Sequence, residues 1–155
     1  MFRLQKTVRT KGEYYRSMAE HLEKLSQGIG SGELAAAIRV LNDIILTARK
    51  ARLTKSQYNM FLLSDIMTWC EVGNALCIKA SANESGKRSP EFMNATSRLF
   101  VREVVEKVIV NGLKIARGGD TILEDIAQEI NDLNMTDLMD GILKDMDTVA
   151  HELVK

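Results

Sequence analysis

The residue whose position most suggests chemistry is an aspartate inside an apolar helical stretch. A carboxyl group buried in such surroundings has a raised pKa and can act as a general base, and Asp65 is placed for that role. The same carboxylate can instead pair with a basic residue of a neighbouring helix, for which Arg98, Arg102 and Lys107 are candidates. We favour the ion pair, because no histidine, nucleophile or second carboxylate recurs beside Asp65.

Other candidate ligands are isolated in the sequence. His21 and His151 lack the four-residue ligand spacing of a helical metal site, and the Glu-x-x-His pairs of di-iron bundles do not occur. The glycine-rich segment Gly28-x-Gly30-x-Gly32 raises the possibility of phosphate binding. No strand is predicted before it, so a connection between two helices is the favoured interpretation.

The sulfur-containing residues favour packing over chemistry. Cys70 and Cys77 are expected on one helix about 10 Å apart, too far for a disulfide within that helix. Buried thiols in a reducing cytoplasm are expected instead, and no basic neighbour is predicted to activate Cys70. Methionines can line an adaptable partner groove but more often fill a core, and those considered are Met60, Met67, Met93, Met135, Met139 and Met146. We therefore assign no catalytic, cofactor-binding or metal-ligating residue.

The elements that must position these residues are helices. The chain has 155 residues, 45% of them hydrophobic, and one proline, which suits one domain over residues 1–155 with a single core. Apolar spacing predicts an all-α fold, an up-and-down helical bundle of about five to six helices. The predicted helices cover about residues 11–27, 33–52, 55–80, 90–117, 122–130 and 136–153. The third is apolar on most of its circumference, which predicts that it forms the antiparallel centre with the fourth.

The absence of net charge conceals a split along the sequence. Residues 120–155 hold ten acidic and two basic residues, a net charge of −8, so residues 1–119 carry +8. An acidic terminal helix lying on a basic body explains this split as well as a nucleic-acid partner does. We favour the first explanation, because aromatic residues make up only 5% of the chain and do not interleave with a basic patch. The terminal helix should bury Leu138, Ile142, Met146, Val149 and Leu153.

The N-terminal residues 1–10 combine basic and apolar side chains. Arg3, Lys6 and Arg9 alternate with Leu4 and Val8, a pattern that a short helix on an anionic membrane surface would show. A solvated, frayed segment is the favoured interpretation. Charges also interrupt the apolar middle of the chain, so no membrane span is expected.

A family resemblance begins at the middle of the chain. The run Leu62-Leu63-Ser64-Asp65-Ile66 continues to Leu76-Cys77-Ile78-Lys79-Ala80-Ser81, and a polar loop follows. A second long segment from Phe92 to Gly119 closes on glycine. This order resembles the helical C-terminal extension of very-long-chain acyl-CoA dehydrogenases, and the resemblance covers about residues 33–119.

The resemblance implies a bundle that packs against a dehydrogenase core and assists assembly. In that family the FAD site, the acyl-CoA cavity and the catalytic glutamate belong to a preceding catalytic portion, so FAD is expected only there and no cofactor in this chain. The expected partners are that catalytic portion, a second copy of the chain, or both. Neither nucleic acid nor a membrane surface is an expected partner, and the expected location is cytoplasmic. The alternative is a free-standing helical adaptor for protein–protein interaction.

Overall fold

The computed structural model describes residues 2–84 and 86–155 and is all-α over that part of the chain. Its helices are α1 (Phe2–Arg9), α2 (Glu13–Leu22), α3 (Ser31–Lys50), α4 (Gln57–Ser81), α5 (Pro90–Arg117), α6 (Glu124–Asn131), α7 (Met135–Leu138) and α8 (Ile142–Leu153), with a 3-10 turn at Leu53–Lys55. The predicted all-α bundle is confirmed. The described residues hold more helices than expected, because α1 forms and the last predicted helix divides before Gly141.

The centre of the bundle is α3, which contacts α1, α2, α4, α5 and α6. Eleven of its 20 residues are buried, among them Leu34, Ile38, Leu41 and Ile45. The predicted centre was the pair α4–α5. Helix α5 shares the centre with α3, since 12 of its 28 residues are buried and it contacts α3, α4, α6, α7 and α8, whereas only seven of the 25 residues of α4 are buried. The prediction is therefore confirmed for α5 and wrong for α4, because an apolar composition shows that a helix has few charges and not how many neighbouring helices cover it.

The pairing of α4 with α5 is as predicted, and each helix begins at a serine cap. Ser56 Oγ accepts a hydrogen bond from the Asn59 amide at 3.4 Å, and Ser89 Oγ accepts one from the Phe92 amide at 3.1 Å. Gly73 lets α3 approach α4 closely, since a Cβ there would lie 3.1 Å from Leu34 Cδ2. These contacts fix which side of α4 faces inward.

The N-terminal segment packs on the bundle and is not frayed over Phe2–Arg9. Thr7 is fully buried, and its hydroxyl donates to the Arg3 carbonyl at 2.9 Å. Arg3 forms an ion pair with Glu71 of α4. The expectation of a solvated segment is therefore corrected for these residues, because a buried hydroxyl and a long-range ion pair hold the helix in place.

The C-terminal helix α8 docks on α5 in an orientation that the sequence does not predict. Met146 and Leu153, expected to be buried, are 47% and 58% exposed, and Leu143 is 72% exposed. The buried residue of α8 is Asp145. The predicted burial is wrong for Met146 and Leu153, whereas Leu138, Ile142 and Val149 are half-buried, because charge pairing with α5 orients the helix as well as its apolar side does.

Candidate interaction face

The outer side of α4 is exposed, and seven of its residues between Gln57 and Ile78 are uncharged, with Asp65 at their border and the exposed Lys79 directly after Ile78. Residues spaced three or four apart make up this side, here named the outer α4 face: Tyr58, Phe61, Ser64, Thr68, Val72, Ala75 and Ile78. Tyr58 is 59% exposed, Phe61 66%, and Val72 49%. Surface helices ordinarily present charged or polar residues to water, so a long uncharged face with two exposed aromatic rings has the composition of a protein-binding surface.

Inward-facing residues of α4 fix the orientation of this face. Leu63, Ile66, Cys70 and Cys77 are fully buried on the opposite side of the helix. Cys77 lies 3.5 Å from Ser97 Oγ of α5, and Ser97 in turn donates to the Ile29 carbonyl at 2.7 Å. Because α4 is anchored on α3 and α5 together, Phe61 and Val72 cannot turn inward without breaking the core.

The border of the face towards α5 contains the aspartate singled out by the sequence. Asp65 Oδ2 accepts a hydrogen bond from Asn111 Nδ2 at 2.9 Å and lies 3.9 Å from Lys107 Nζ. The Lys107 ammonium also lies 4.7 Å from the ring centre of Trp69, which stacks on Phe100 at 5.1 Å. The predicted ion pair is confirmed with Lys107. Pairing with Arg98 or Arg102 is wrong, and the supposed burial is wrong as well, since the Asp65 side chain is 44% exposed.

A second acidic group of α4, which the sequence analysis missed, ties the N-terminal helices to it. Glu71 Oε1 accepts hydrogen bonds from Tyr14 at 2.9 Å and from Tyr15 at 3.4 Å, while Arg3 pairs with its other oxygen. Burial and the Glu71 charge raise the pKa of Tyr15, and burial together with the hydrogen bond to Glu71 raises that of Tyr14. Both phenols therefore stay protonated as donors. No sequence spacing links residues 3, 14 and 71, so only the fold brings them together.

Several carboxylates join the acidic C-terminal part to the rest of the chain: Glu152 accepts hydrogen bonds from Ser89, Glu124 pairs with Arg117, and Asp145 is the buried one. Arg98 Nη2 lies 2.5 Å from Asp145 Oδ1, and Arg102 Nη1 lies 2.6 Å from Asp145 Oδ2. Arg102 also donates to the carbonyls of Leu138 and Asp140, each at 2.7 Å. Burial opposes ionisation of Asp145, but the hydrogen bonds and charges of the two arginines outweigh it and lower its pKa. The docking of an acidic helix on a basic body is thus observed.

The glycine-rich segment connects α2 to α3. Gly28 and Gly30 have φ angles of +82° and +83°, and a Cβ at Gly30 would lie 3.1 Å from Val101 of α5. The Gly28 carbonyl accepts a hydrogen bond from Arg98. The favoured interpretation as a helix–helix connection is confirmed, with glycine required for the left-handed turn and the close approach to α5.

The remaining candidates stay apart from the outer α4 face. His21 on α2 and His151 on α8 are both exposed. In residues 2–84 and 86–155, His, Cys, Asp and Glu side chains form no group of three or more that could hold a metal ion. Cys70 is fully buried, and burial raises the pKa of its thiol, so the thiolate is disfavoured. The exposed histidines and the buried Cys70 thus lie where a surface role and a packing role would place them.

The methionines divide between core and surface. Met67 and Met93 are buried, whereas Met146 is exposed. Met60 and Met67 line a cleft of about 280 Å³ between α1 and α4, beside Arg3, Leu4 and Leu63. Met60 and Met67 therefore line a cleft, and Met67 and Met93 are buried, so each of the two expectations holds for some of the methionines.

Two carboxyl groups meet where α6 packs on α3. Burial raises the pKa of Asp43, and a hydrogen bond with Glu129 and the charge of Arg16 offset part of this effect. Burial, the Asp43 charge and the shared hydrogen bond raise the pKa of Glu129 as well. The folded protein therefore binds protons here more readily than the unfolded chain does.

Acidification towards the unfolded-state pKa values of 3.8 and 4.5 should increase stability through this pair. Both pKa values are raised on folding, so the stabilisation grows as the pH falls towards the unfolded-state values and is lost as the pH rises. Urea unfolding at a series of pH values should show a gain of under about 1 kcal/mol, since both groups are partly solvated. Asp43→Asn should flatten this slope and the exposed control Glu20→Gln should not; an unchanged slope in Asp43→Asn would contradict the assignment.

Comparison of the chain with known proteins adds no family. No protein-family model matches it, and neither a curated protein nor a solved structure does. By length and composition alone, Gln57–Ser81 would suffice to cross a membrane, which differs from the expectation that charges interrupt such a span. Core helices of soluble proteins meet the same criterion, so this is weak evidence for a span.

Proposed function

We propose that this chain is a non-catalytic helical domain that assembles with a protein partner through the outer α4 face. The observation that carries the proposal is the exposure of Phe61 and Tyr58 on a helix side without charge. Aromatic residues are enriched at the centres of protein interfaces, where charged residues are depleted. Burying Phe61 in a partner would remove from water a side chain that the chain itself leaves 66% exposed.

The resemblance of residues 33–119 to the acyl-CoA dehydrogenase extension suggests the partner. On this proposal, the face packs against the catalytic portion of an FAD-dependent acyl-CoA dehydrogenase, which carries the flavin and the acyl-CoA cavity. The chain itself then contributes no reacting group and acts in the cytoplasm. Helix α4, which bears the resemblance to that family, is also the helix that bears the exposed face.

A protein surface suits the face better than a membrane surface does. Helices that lie on membranes carry lysine and arginine along the border of the apolar side. The charged residues of α4 nearest to this face are Asp65, Glu71 and the exposed Lys79, of which a single one is basic. Lys107 and Arg3 neutralise Asp65 and Glu71 within the chain, so Lys79 is the single basic residue of α4 beside the face, fewer than a helix on anionic lipid presents.

A binding measurement with matched variants tests the proposal. The full chain is titrated into the flavin-loaded catalytic portion of a very-long-chain acyl-CoA dehydrogenase that lacks its own C-terminal extension. Phe61→Lys should weaken binding at least about tenfold, as expected for an aromatic residue central to an interface. Leu143→Lys is the control, since Leu143 is 72% exposed but lies on α8. Equal loss in both variants, or sedimentation of the chain with anionic vesicles instead, would refute the proposal.

The alternative of a free-standing adaptor keeps the same face but changes its partner. An immunoblot of the source cells with an antibody against this chain separates the two cases. A band several times heavier than 17.4 kDa indicates a dehydrogenase-sized parent protein, and a band at 17.4 kDa indicates the adaptor.

A further inference from the structure

The turn between α7 and α8 divides a segment that the sequence predicts as one helix over about residues 136–153. In the structure α7 ends at Leu138 and α8 begins at Ile142, and Gly141 between them has a φ angle of +74°. A residue in the left-handed region does not continue an α-helix. The helix is therefore interrupted at a defined turn, and a single glycine provides the conformation that the turn requires.

Arg102 of α5 holds this turn through carbonyl groups that a continuous helix would use itself. Its guanidinium donates to the Leu138 carbonyl and to the Asp140 carbonyl, each at 2.7 Å. In an uninterrupted α-helix the Leu138 carbonyl would accept from the Ile142 amide, which here donates to the Met139 carbonyl at 3.2 Å. Arg102 thus stabilises the bent form by bonding acceptors that would be satisfied within the helix if the segment straightened.

Polar contacts near both ends hold α8 on α5. Asp145 pairs with Arg98 and Arg102, and Glu152 Oε1 accepts a hydrogen bond from the Ser89 amide at 2.6 Å. The Ser89 hydroxyl donates to the other oxygen of Glu152. Of the residues of α8, all of which the structure describes, only Asp145 is buried. Release of α8 would therefore break mainly ion pairs and hydrogen bonds, which water can replace, and little apolar packing.

The length and the apolar residues of this segment suit a straight helix. From Met135 to Leu153 it would have 19 residues, above the roughly 12–15 below which an isolated helix is marginal, whereas α8 alone has 12. Straightening would also bring the stripe predicted from the sequence onto one side of a single helix: Leu138, Ile142, Met146, Val149 and Leu153. In the bent form Met146 and Leu153 of this stripe remain 47% and 58% exposed.

We propose that residues 135–153 form a hinged strap with two states. The closed state is the one observed, bent at Gly141 and docked on Arg98 and Arg102 of α5. In the open state the strap is one continuous helix that has left α5, and both arginines are released from Asp145. The inference does not depend on the proposed function, since it concerns α5 and α8 and not the outer α4 face.

A distance measurement between α5 and α8 detects the two states. Spin labels on Glu91→Cys and Ala150→Cys, both at exposed positions of the full chain, report the separation of the two helices by pulsed electron paramagnetic resonance. The native thiols are buried and remain unlabelled. The closed strap gives one distance, and the open strap adds a longer one. Asp145→Asn should populate the longer distance, because opening returns water to the charge of Arg102, which is 6% exposed when the strap is closed.

The hinge glycine should control the balance between the states. In the Asp145→Asn background, Gly141→Ala should raise the ratio of open to closed molecules at least about fivefold. Alanine is disfavoured at the left-handed φ of the closed state and favoured in the continuous helix of the open state. Gly119→Ala is the matched control and should leave the ratio unchanged, since its φ is not left-handed and a Cβ there would meet nothing within 4 Å.

Two results would overturn the inference. One is a single distance that Gly141→Ala does not change. The other is a loss of helical circular dichroism in proportion to the longer distance, because α8 would then unfold on release and not straighten. Glu152→Gln supplies a second background, which weakens the far end of the contact and leaves the buried ion pair of Asp145 in place, so the measurement does not depend on the folding of Asp145→Asn.

Discussion

Replacing Asp145 with alanine should lower the free energy of unfolding by about 3 kcal/mol, the loss expected when one partner of a buried ion pair is removed. Asp145 is 4% exposed and Arg102 is 6% exposed, so the Arg102 guanidinium would remain buried without its carboxylate. The two carbonyls of Leu138 and Asp140 that also accept from Arg102 cannot neutralise its charge. Chemical denaturation monitored by circular dichroism measures the change.

Asp147→Ala provides the matched control, because Asp147 lies on the same helix and is exposed. Its effect should stay within about 0.5 kcal/mol, as is usual for surface substitutions. If both variants lose the same stability, helix propensity or net charge explains the effect, and the arginine pair does not. Loss of α8 alone would appear as exchange of its amide hydrogens while α3 remains protected.

The pH dependence of this contact follows from the direction of the pKa shift. The folded-state pKa of Asp145 is lowered, so its stabilisation is complete above the unfolded-state value of 3.8 and is lost as the pH falls further. This window lies below that of the Asp43–Glu129 pair, whose contribution increases on acidification. Acidification should thus raise stability slightly through the Asp43–Glu129 pair and lower it below pH 3.8 through Asp145, and Asp145→Ala should remove the second change.

The charge split in the sequence predicted that the acidic helix docks on the basic body, but not which residues form the contact. Opposite charge on two halves of a chain favours contact between them, and that contact is observed between α8 and α5. Which of the ten acidic residues in 120–155 is buried depends on the positions of Arg98 and Arg102 once α5 is packed in the bundle. Glu71 is a similar case, since its partners Arg3 and Tyr14 are far from it in sequence. Local periodicity holds no information on such long-range pairs.

The sequence alone does not distinguish the outer α4 face from a buried side of a helix, because both consist of apolar residues. Phe61 and Val72 continue the pattern of buried positions such as Leu63 and Ile66, so periodicity assigned them all to a core. An apolar residue that meets a partner in another molecule has the same sequence signature as one buried within its own fold. Helix boundaries, in contrast, were predictable where caps act locally, as at Ser89 and Pro90.

Leu41→Ala should be among the most destabilising single substitutions, because it opens a cavity in α3 at the centre of the fold. Leu41 is fully buried, and truncation of such a leucine costs about 2–5 kcal/mol. Phe61→Ala removes a larger side chain, yet it should cost less than about 0.5 kcal/mol in the monomer, since most of Phe61 contacts water.

The contrast between these two variants decides between α3 and α4 as the centre of the bundle. If the sequence-based prediction held, Phe61→Ala would be the more damaging change, at about 3–5 kcal/mol. Thermal and urea unfolding at low protein concentration measures both variants without a contribution from self-association. A residue that is dispensable for folding and required for association is what an interface residue must be, and Phe61 is the residue of α4 on which that distinction can be measured most directly.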